Sequence, residues 1–230
     1  MKRGYEIPRL KDFNFSKSRD KGDFLAPFTN RPISKFFSWF FVHFTLCAEF
    51  IALLTPIIDS LTIFVIYKGY WIVAAILVEL SLIADSADGE VARFRATIDK
   101  KRTPQQNAFG AYMDSMAGVL IFPLVIFAAG YFMGNLLLGL LTMLSFLLLN
   151  LSTANSYIFP NKEKKSKSLQ QGFLGRIKKK LHIRGVVGFT GDIQKHVIAL
   201  ALLFKTTIFL WIYLVIAILL VLIKLYIYRK

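Results

Sequence analysis

The stretch YWIVAAILVELSLIADSADGEVAR, residues 70–93, decides the fold of this chain. Its first fourteen residues are apolar enough to cross a bilayer, and Glu79 is the one charged residue among them. Asp85, Asp88 and Arg93 follow where the apolar segment ends. Charged side chains are costly inside a bilayer, so they usually mark a functional site or face a buried partner. The stretch therefore predicts a membrane helix with chemistry at one end.

The rest of the chain has the composition of an integral membrane protein. Of its 230 residues, 55% are hydrophobic and 22 are phenylalanine, which is far more apolar than a soluble domain of this length. Because several runs of 18 or more mostly apolar residues are present, we predict an all-α integral membrane protein with six transmembrane helices. The predicted spans are residues 45–67, 70–93, 108–131, 134–158, 185–204 and 206–227.

The positive charge follows the predicted topology. The formal net charge is +15. Nine Lys and Arg residues lie in residues 1–35, nine in residues 159–184 and five in residues 93–107, where the second span ends and the third begins, whereas the alternate connections carry one or none. Since basic loops face the cytosol, we expect both termini there, together with the end of the second span that carries the aspartates. Topology and anionic lipid headgroups then account for the charge, and nucleic acid is not an expected partner.

The region before the first span is expected to have two parts. Residues 1–30 are polar and basic, which predicts a mobile cytosolic tail, and residues 31–230 form the predicted membrane domain. In RPISKFFSWFFVHF, residues 31–44, aromatic and apolar side chains lie beside Arg31, Lys35 and His43. This pattern predicts an amphipathic helix on the cytosolic leaflet. An early start of the first span is the alternative.

Three aspartates are predicted to share one depth. Asp85 and Asp88 are three residues apart, so they lie on nearly the same face of a helix. At helical rise, Asp85 is ~12 Å inside the cytosolic end of span two and Asp114 is ~10 Å inside that of span three. If these spans are antiparallel neighbours, the carboxylates meet, and a hard divalent cation would relieve their repulsion. The alternative is a structural network in which Arg93 or Lys195 neutralises the acids.

Small residues complete a longer motif around these acids. The pattern D-x-x-D-G-x-x-A-R of residues 85–93, followed by Gly110 and Asp114, resembles the motif of the CDP-alcohol phosphotransferases. The sequence DGEVAR, together with RPISK before the first span, is most similar to the sequences of the inositol-phosphate-type branch of that family. The resemblance covers residues 31–130 through these features and the remainder through the number of spans.

The resemblance implies a six-helix membrane transferase, commonly a homodimer, whose active site opens to the cytosol among membrane lipids. In such an enzyme a hydroxyl acceptor attacks the β-phosphorus of a CDP-alcohol, either CDP-diacylglycerol or a soluble donor, and CMP is released during synthesis of phospholipids or polar headgroups. Two divalent cations, Mg²⁺ or Mn²⁺, clamp the donor pyrophosphate. Carried over by the motif, the metal ligands are Asp85, Asp88 and Asp114, and the substrate-binding residues are Gly89, Ala92, Arg93 and Gly110.

Two features depart from the family pattern. The loop between Arg93 and Gly110 is longer than usual, which a surface loop tolerates. Four residues after Asp114, the family has a last aspartate that is a metal ligand and the proposed base, but this chain has Gly118. Glycine can neither ligate through a side chain nor accept a proton, and loss of a general base commonly costs ~10²–10⁴-fold in rate. The catalytic base is therefore unknown from the sequence.

Asp192 is a candidate substitute for the missing aspartate. It lies ~10 Å inside the predicted fifth span at helical rise, and His196 follows one turn later on the same face. Asp192 could act as ligand or base, or it could instead pair with Lys195 or cap a broken helix. Three functions stay open: an active transferase, a catalytically impaired relative that binds nucleotide or metal as a nonenzymatic partner, and a small transporter with intramembrane acids.

Overall fold

The computed structural model of the protein describes residues 30–43, 48–99, 104–158 and 191–229. Nearly all of the predicted N-terminal tail and the first residues of the predicted fifth span lie outside these ranges. Within them the secondary structure is helical. The helices are α1 (Asn30–His43), α2 (Ala48–Tyr67), α3 (Trp71–Asp99), α4 (Pro104–Ser115), α5 (Phe122–Phe132), α6 (Leu136–Ile158), α7 (Gly191–Leu203) and α8 (Ile208–Arg229).

A helix lies in each of the six segments predicted to span the membrane. The π-helical segment Met116–Ile121 joins α4 to α5, and together they fill the third segment. In the part of the chain that the structure describes, two helices are long and apolar enough to cross a bilayer, Ala48–Tyr67 and Ala108–Phe132. The all-α class is therefore confirmed for these residues. The count of six spans and the membrane placement of α1 stay predictions.

Tight turns fold consecutive helices back on each other. The backbone is left-handed at Gly69 (φ 78°), Gly134 (φ 82°) and Lys205 (φ 47°), which follow α2, α5 and α7. In the second turn, the amide of Asn135 donates to the carbonyl of Gly130 at 2.9 Å. This closure satisfies the last carbonyls of a helix. Because each turn is so short, the helices that it joins run antiparallel.

The bundle buries one large apolar cluster and leaves an apolar outer surface. The cluster contains residues of α2, α3, α5, α6, α7 and α8. Phe122 and Tyr213 are its largest fully buried side chains. On the outer surface, large side chains such as Leu137 (65% exposed) and Ile208 (62%) are open. Exposed apolar area on this scale marks a surface that is covered by something other than water. A bilayer supplies that cover.

Glycines allow α5 and α6 to cross with their backbones in contact. A Cβ atom on Gly130 would overlap the Cα atom of Gly139, and one on Gly139 would lie 2.8 Å from the carbonyl oxygen of Phe127. The obstructing atoms are backbone, so they cannot move aside as a flexible side chain would. Small residues commonly permit such close helix packing in membranes.

We expect Gly130→Ala to destabilise the protein by about 1–3 kcal/mol, the usual cost of overpacking. Thermal unfolding in detergent measures this as a lower Tm. Gly118→Ala is the matched control, because a Cβ atom there meets no other described part of the chain within 4 Å. It should leave Tm unchanged or raise it, since alanine favours a helix. Equal Tm values for Gly130→Ala and the wild type would contradict the close crossing.

Candidate functional site

One face of α3 carries the motif aspartates into the bundle. Ser81, Asp85, Asp88 and Ala92 follow at intervals of four, three and four residues, so they align along one side of the helix. Asp88 is only 9% exposed and Asp85 is half-buried. A carboxylate that is held inside a membrane protein needs a charged or polar partner. Ser81 and the two aspartates therefore lie on the inward side of α3.

Lys195 of α7 lies at the deep end of this face. Its Nζ atom donates to Ser81 Oγ at 3.0 Å, lies 4.0 Å from Asp59 Oδ2 and is 5.1 Å from the ring centre of Phe122. Ser81 is one helical turn from Asp85, on the side away from Arg93. The ammonium group is thus held beneath the aspartates, and its carboxylate partner is Asp59 of α2.

Sequence reasoning missed Asp59 as the partner of Lys195. The available signal was a polar stripe in the otherwise apolar α2: Thr55, Asp59 and Thr62 follow at intervals of four and three residues, and all are buried. Such a stripe marks the inward face of a membrane helix. Helical periodicity indicates the polar face of α2, but it does not identify Lys195 on another helix as the cation that this face meets.

We expect Lys195→Met to destabilise the protein by about 3 kcal/mol, because it leaves the Asp59 carboxylate buried without a counter-charge. Adding Asp59→Asn should recover most of that loss. Thermal unfolding of the single and double variants measures both effects. A double variant as unstable as Lys195→Met would show that the two charges do not depend on each other.

Neighbouring residues of α7 also have polar partners on other helices. His196 Nδ1 lies 2.8 Å from Glu79 Oε1 on α3. On the other side, the hydroxyl of Tyr213 on α8 donates to Gln194 Oε1 at 2.9 Å. With Lys195 between them, three successive residues of α7 contact side chains on α2, α3 and α8. These contacts fix the rotation of α7 in the bundle.

The residue proposed to replace the missing aspartate lies at the start of this helix. Asp192 is in the first turn of α7, which begins at Gly191. Its side chain is outside the described residues, so its role as ligand or base stays a prediction.

Asp114 lies on α4, a different helix from the one that carries Asp85 and Asp88. It is exposed near the end of α4, and α2 packs against both α3 and α4. Within the described residues, no group of three or more acidic, histidine or cysteine side chains is arranged to hold a metal ion. The carboxylates of Asp85, Asp88 and Asp114 are the hard oxygen donors that Mg²⁺ takes. Their assembly around an ion stays a prediction.

Gly118 lies in the π-helical segment that follows Asp114. The segment is Met116–Ile121, and π-helical turns are rare and frequent at functional sites. Among the residues that the structure describes, no atom outside the helix's own nearby backbone would lie within 4 Å of a Cβ atom on Gly118. The structure therefore has room for a side chain where the family pattern has its last aspartate.

The other motif residues are placed as follows. A Cβ atom on Gly89 would lie 3.2 Å from Arg93 Nη1, so the glycine allows the guanidinium to fold back along α3. Ala92 is buried in a small cluster beneath Phe37 and Phe41 of α1. Gly110 is half-buried on α4.

Comparison with known proteins identifies the family. The model of the CDP-alcohol phosphatidyltransferase family matches residues 45–229. The chain belongs to the CDP-alcohol phosphatidyltransferase family. No curated protein matches it, and no solved structure matches it. The family predicted from residues 85–114 is thus confirmed, and α1 lies ahead of the matched range.

Membership in the CDP-alcohol phosphatidyltransferase family gives the general chemistry. It is a transferase family whose reaction moves a phospho-alcohol group from a CDP-alcohol in lipid synthesis, generally with divalent metal ions. With the apolar helices described above, it also makes this chain a membrane protein.

Proposed function

We propose that this family member is an active transferase that moves a phospho-alcohol group, which is phosphatidyl if the donor is CDP-diacylglycerol, from a CDP-alcohol to a hydroxyl acceptor and releases CMP. The observation that carries the proposal is the inward face of α3. There Asp85 and Asp88 lie within the bundle, and Gly89, Ala92 and Arg93 hold the family's positions beside them. A cluster of acids without this function would be a costly feature inside a membrane.

The motif residues are assigned distinct roles. Asp85, Asp88 and Asp114 would hold two divalent cations, Mg²⁺ or Mn²⁺, which supply positive charge to the donor pyrophosphate and the leaving CMP. Arg93, folded back over Gly89, offers planar donors that suit phosphate oxygens. Gly110 and Ala92 border the nucleotide, where small side chains leave room for it. Asp192 is the candidate group that accepts the acceptor's proton.

The proposed orientation places both termini and the active site on the cytosolic side, with six spans and a homodimeric assembly. Two observations support this topology. The Lys and Arg residues cluster before α2, between α3 and α4, and between α6 and α7. The tight turns after α2, α5 and α7 occupy the connections with little positive charge. Both agree with the rule that basic loops stay in the cytosol.

The test is CMP release by the purified protein with Mg²⁺ or Mn²⁺ and a panel of CDP-alcohols that includes CDP-diacylglycerol. The proposal expects metal-dependent release with at least one donor, and removal of the metal by a chelator should stop it. Failure to bind any CDP compound would refute the proposal.

A second candidate function rests on Gly118. Without the family's last aspartate, the protein could bind nucleotide or metal as a nonenzymatic partner. Binding of CDP compounds without CMP release, in the wild type and in Gly118→Asp alike, would favour this candidate.

A further inference from the structure

A buried carboxylate ties α1 to α3. Ser34 Oγ donates to Glu90 Oε1 at 3.0 Å, and Ser38 Oγ donates to Glu90 Oε2 at 2.8 Å. All three residues are buried. Burial of a carboxylate is costly unless it is hydrogen-bonded, and hydrogen bonds to a charged acceptor are the strong ones. Each serine therefore satisfies one oxygen of Glu90 and fixes α1 against α3.

This tie acts next to the motif aspartates. Glu90 is two residues after Asp88, and Ser38 Oγ also lies 3.5 Å from the carbonyl oxygen of Ala87. Two residues correspond to a rotation of about 200° around the helix. Glu90 thus faces α1 while Asp88 faces the bundle. Glu90 does not point into the site, but it fixes the rotation of the turn that carries Asp88.

The opposite face of α1 is apolar and open. Ile33, Phe36 and Phe40 are 48%, 55% and 42% exposed, while the serine hydroxyls point inward. A helix in water has the reverse arrangement. A helix at the headgroup boundary of a bilayer has this one, with its aromatic side in lipid. Contact with lipid on one side and hydrogen bonds to Glu90 on the other would fix the position of α1.

We propose that the hydrogen bonds of Ser34 and Ser38 to Glu90 position Asp88 for ion binding. Through them, α1 at the membrane surface fixes the rotation of this turn of α3 about the helix axis. Glu90 is the positioning residue, and it acts through the backbone from Ala87 to Glu90. The inference rests on the proposed function for the role of Asp88. Loss of the two hydroxyls frees this turn of α3 and weakens ion binding without removing a ligand.

The experiment uses the full chain in lipid nanodiscs and the variant Ser34→Ala/Ser38→Ala. Two quantities are measured below the unfolding temperature: the Mn²⁺ concentration for half-maximal CMP release, and the Kd for Mn²⁺ from the electron paramagnetic resonance of the free ion. Both should rise about 10-fold, the lower end of what outer-shell partners of a metal site contribute. Ser34→Thr/Ser38→Thr, which keeps the hydroxyls, should restore most of the affinity.

Ser60→Ala is the matched control. The Ser60 hydroxyl is exposed and donates to the carbonyl of Pro56 in its own helix at 2.8 Å. Its loss should change neither Mn²⁺ quantity. If the double alanine variant does not fold, Ser38→Ala alone is measured in the same way, and weaker Mn²⁺ binding is again expected.

The outcomes separate this inference from the proposed function. A lower Tm with unchanged Mn²⁺ affinity in the alanine variant would make the tie purely structural and overturn the inference. If the wild type binds Mn²⁺ but releases no CMP, the proposed function fails and the Kd for Mn²⁺ alone tests the inference. A higher Kd in the alanine variant than in the wild type then supports the inference, and equal Kd values overturn it. If the wild type binds no Mn²⁺, both are overturned.

Discussion

Replacing Asp88 by asparagine is expected to lower the rate of CMP release on the order of 10³-fold, because loss of a metal ligand should exceed the 10–100-fold cost of losing an outer-shell partner. Asparagine keeps the shape of the side chain and removes its charge. Since Asp88 is nearly buried on the inward face of α3, solvent cannot readily replace the lost carboxylate. The measurement is the initial rate of CMP release at saturating Mg²⁺ and donor.

Glu49→Gln is the matched control for this substitution. Glu49 is a half-buried acid in the first turn of α2, outside the family motif, so the same change from carboxylate to amide should leave the rate unchanged there. A Tm for Asp88→Asn close to that of the wild type would assign the lost rate to the site. If Asp88→Asn turned over as fast as the wild type, Asp88 would not belong to the reaction, and the proposed function would lose its main support.

The sequence predicted the positions of the helices well because the length of an apolar run is a local signal. The apolar runs place the first, fourth and sixth predicted spans close to α2, α6 and α8. The shared face of Asp85 and Asp88 follows from helical periodicity alone. The helix positions and the shared face both depend on residues that are close together in the sequence.

Contacts between distant helices were beyond such reasoning. Glu90 and its serine partners are 56 and 52 residues apart, and Lys195 is 114 residues from Ser81. Helical periodicity indicates which face of a helix is polar, but it does not indicate which helix packs against that face. The amphipathic pattern of α1 was therefore visible, whereas the inward direction of Ser34 and Ser38 toward Glu90 was not.

The position of Asp114 illustrates the same limit. Its depth follows from the distance along the helix, which the sequence supplies. Its neighbours depend on the arrangement of the bundle, in which α2 packs against both α3 and α4. The π-helical segment after Asp114 was equally hidden, since it is a change of hydrogen-bond register within a continuous apolar run.

Gly118→Asp is expected to raise kcat by about 10²–10⁴-fold, the usual contribution of a general base, if Asp192 does not already accept the proton in the wild type. The family pattern places a carboxylate at this position, and in the described ranges of the chain no other segment comes within 4 Å of a Cβ atom there. An aspartate there should enter without the repacking that Gly130 would require. Single-turnover and steady-state rates of CMP release at saturating metal measure the gain.

Gly118→Ala is the matched control, since it adds the Cβ atom without a carboxylate and should bring no gain. Asp192→Asn, made in the wild type and in Gly118→Asp, shows whether Asp192 already serves as the base. If it does, Asp192→Asn reduces turnover in the wild type, and Gly118→Asp relieves that loss because the second carboxylate accepts the proton instead. If Gly118→Asp is no faster than Gly118→Ala, the π-helical segment does not direct this position toward the reacting hydroxyl, and the base must come from another helix.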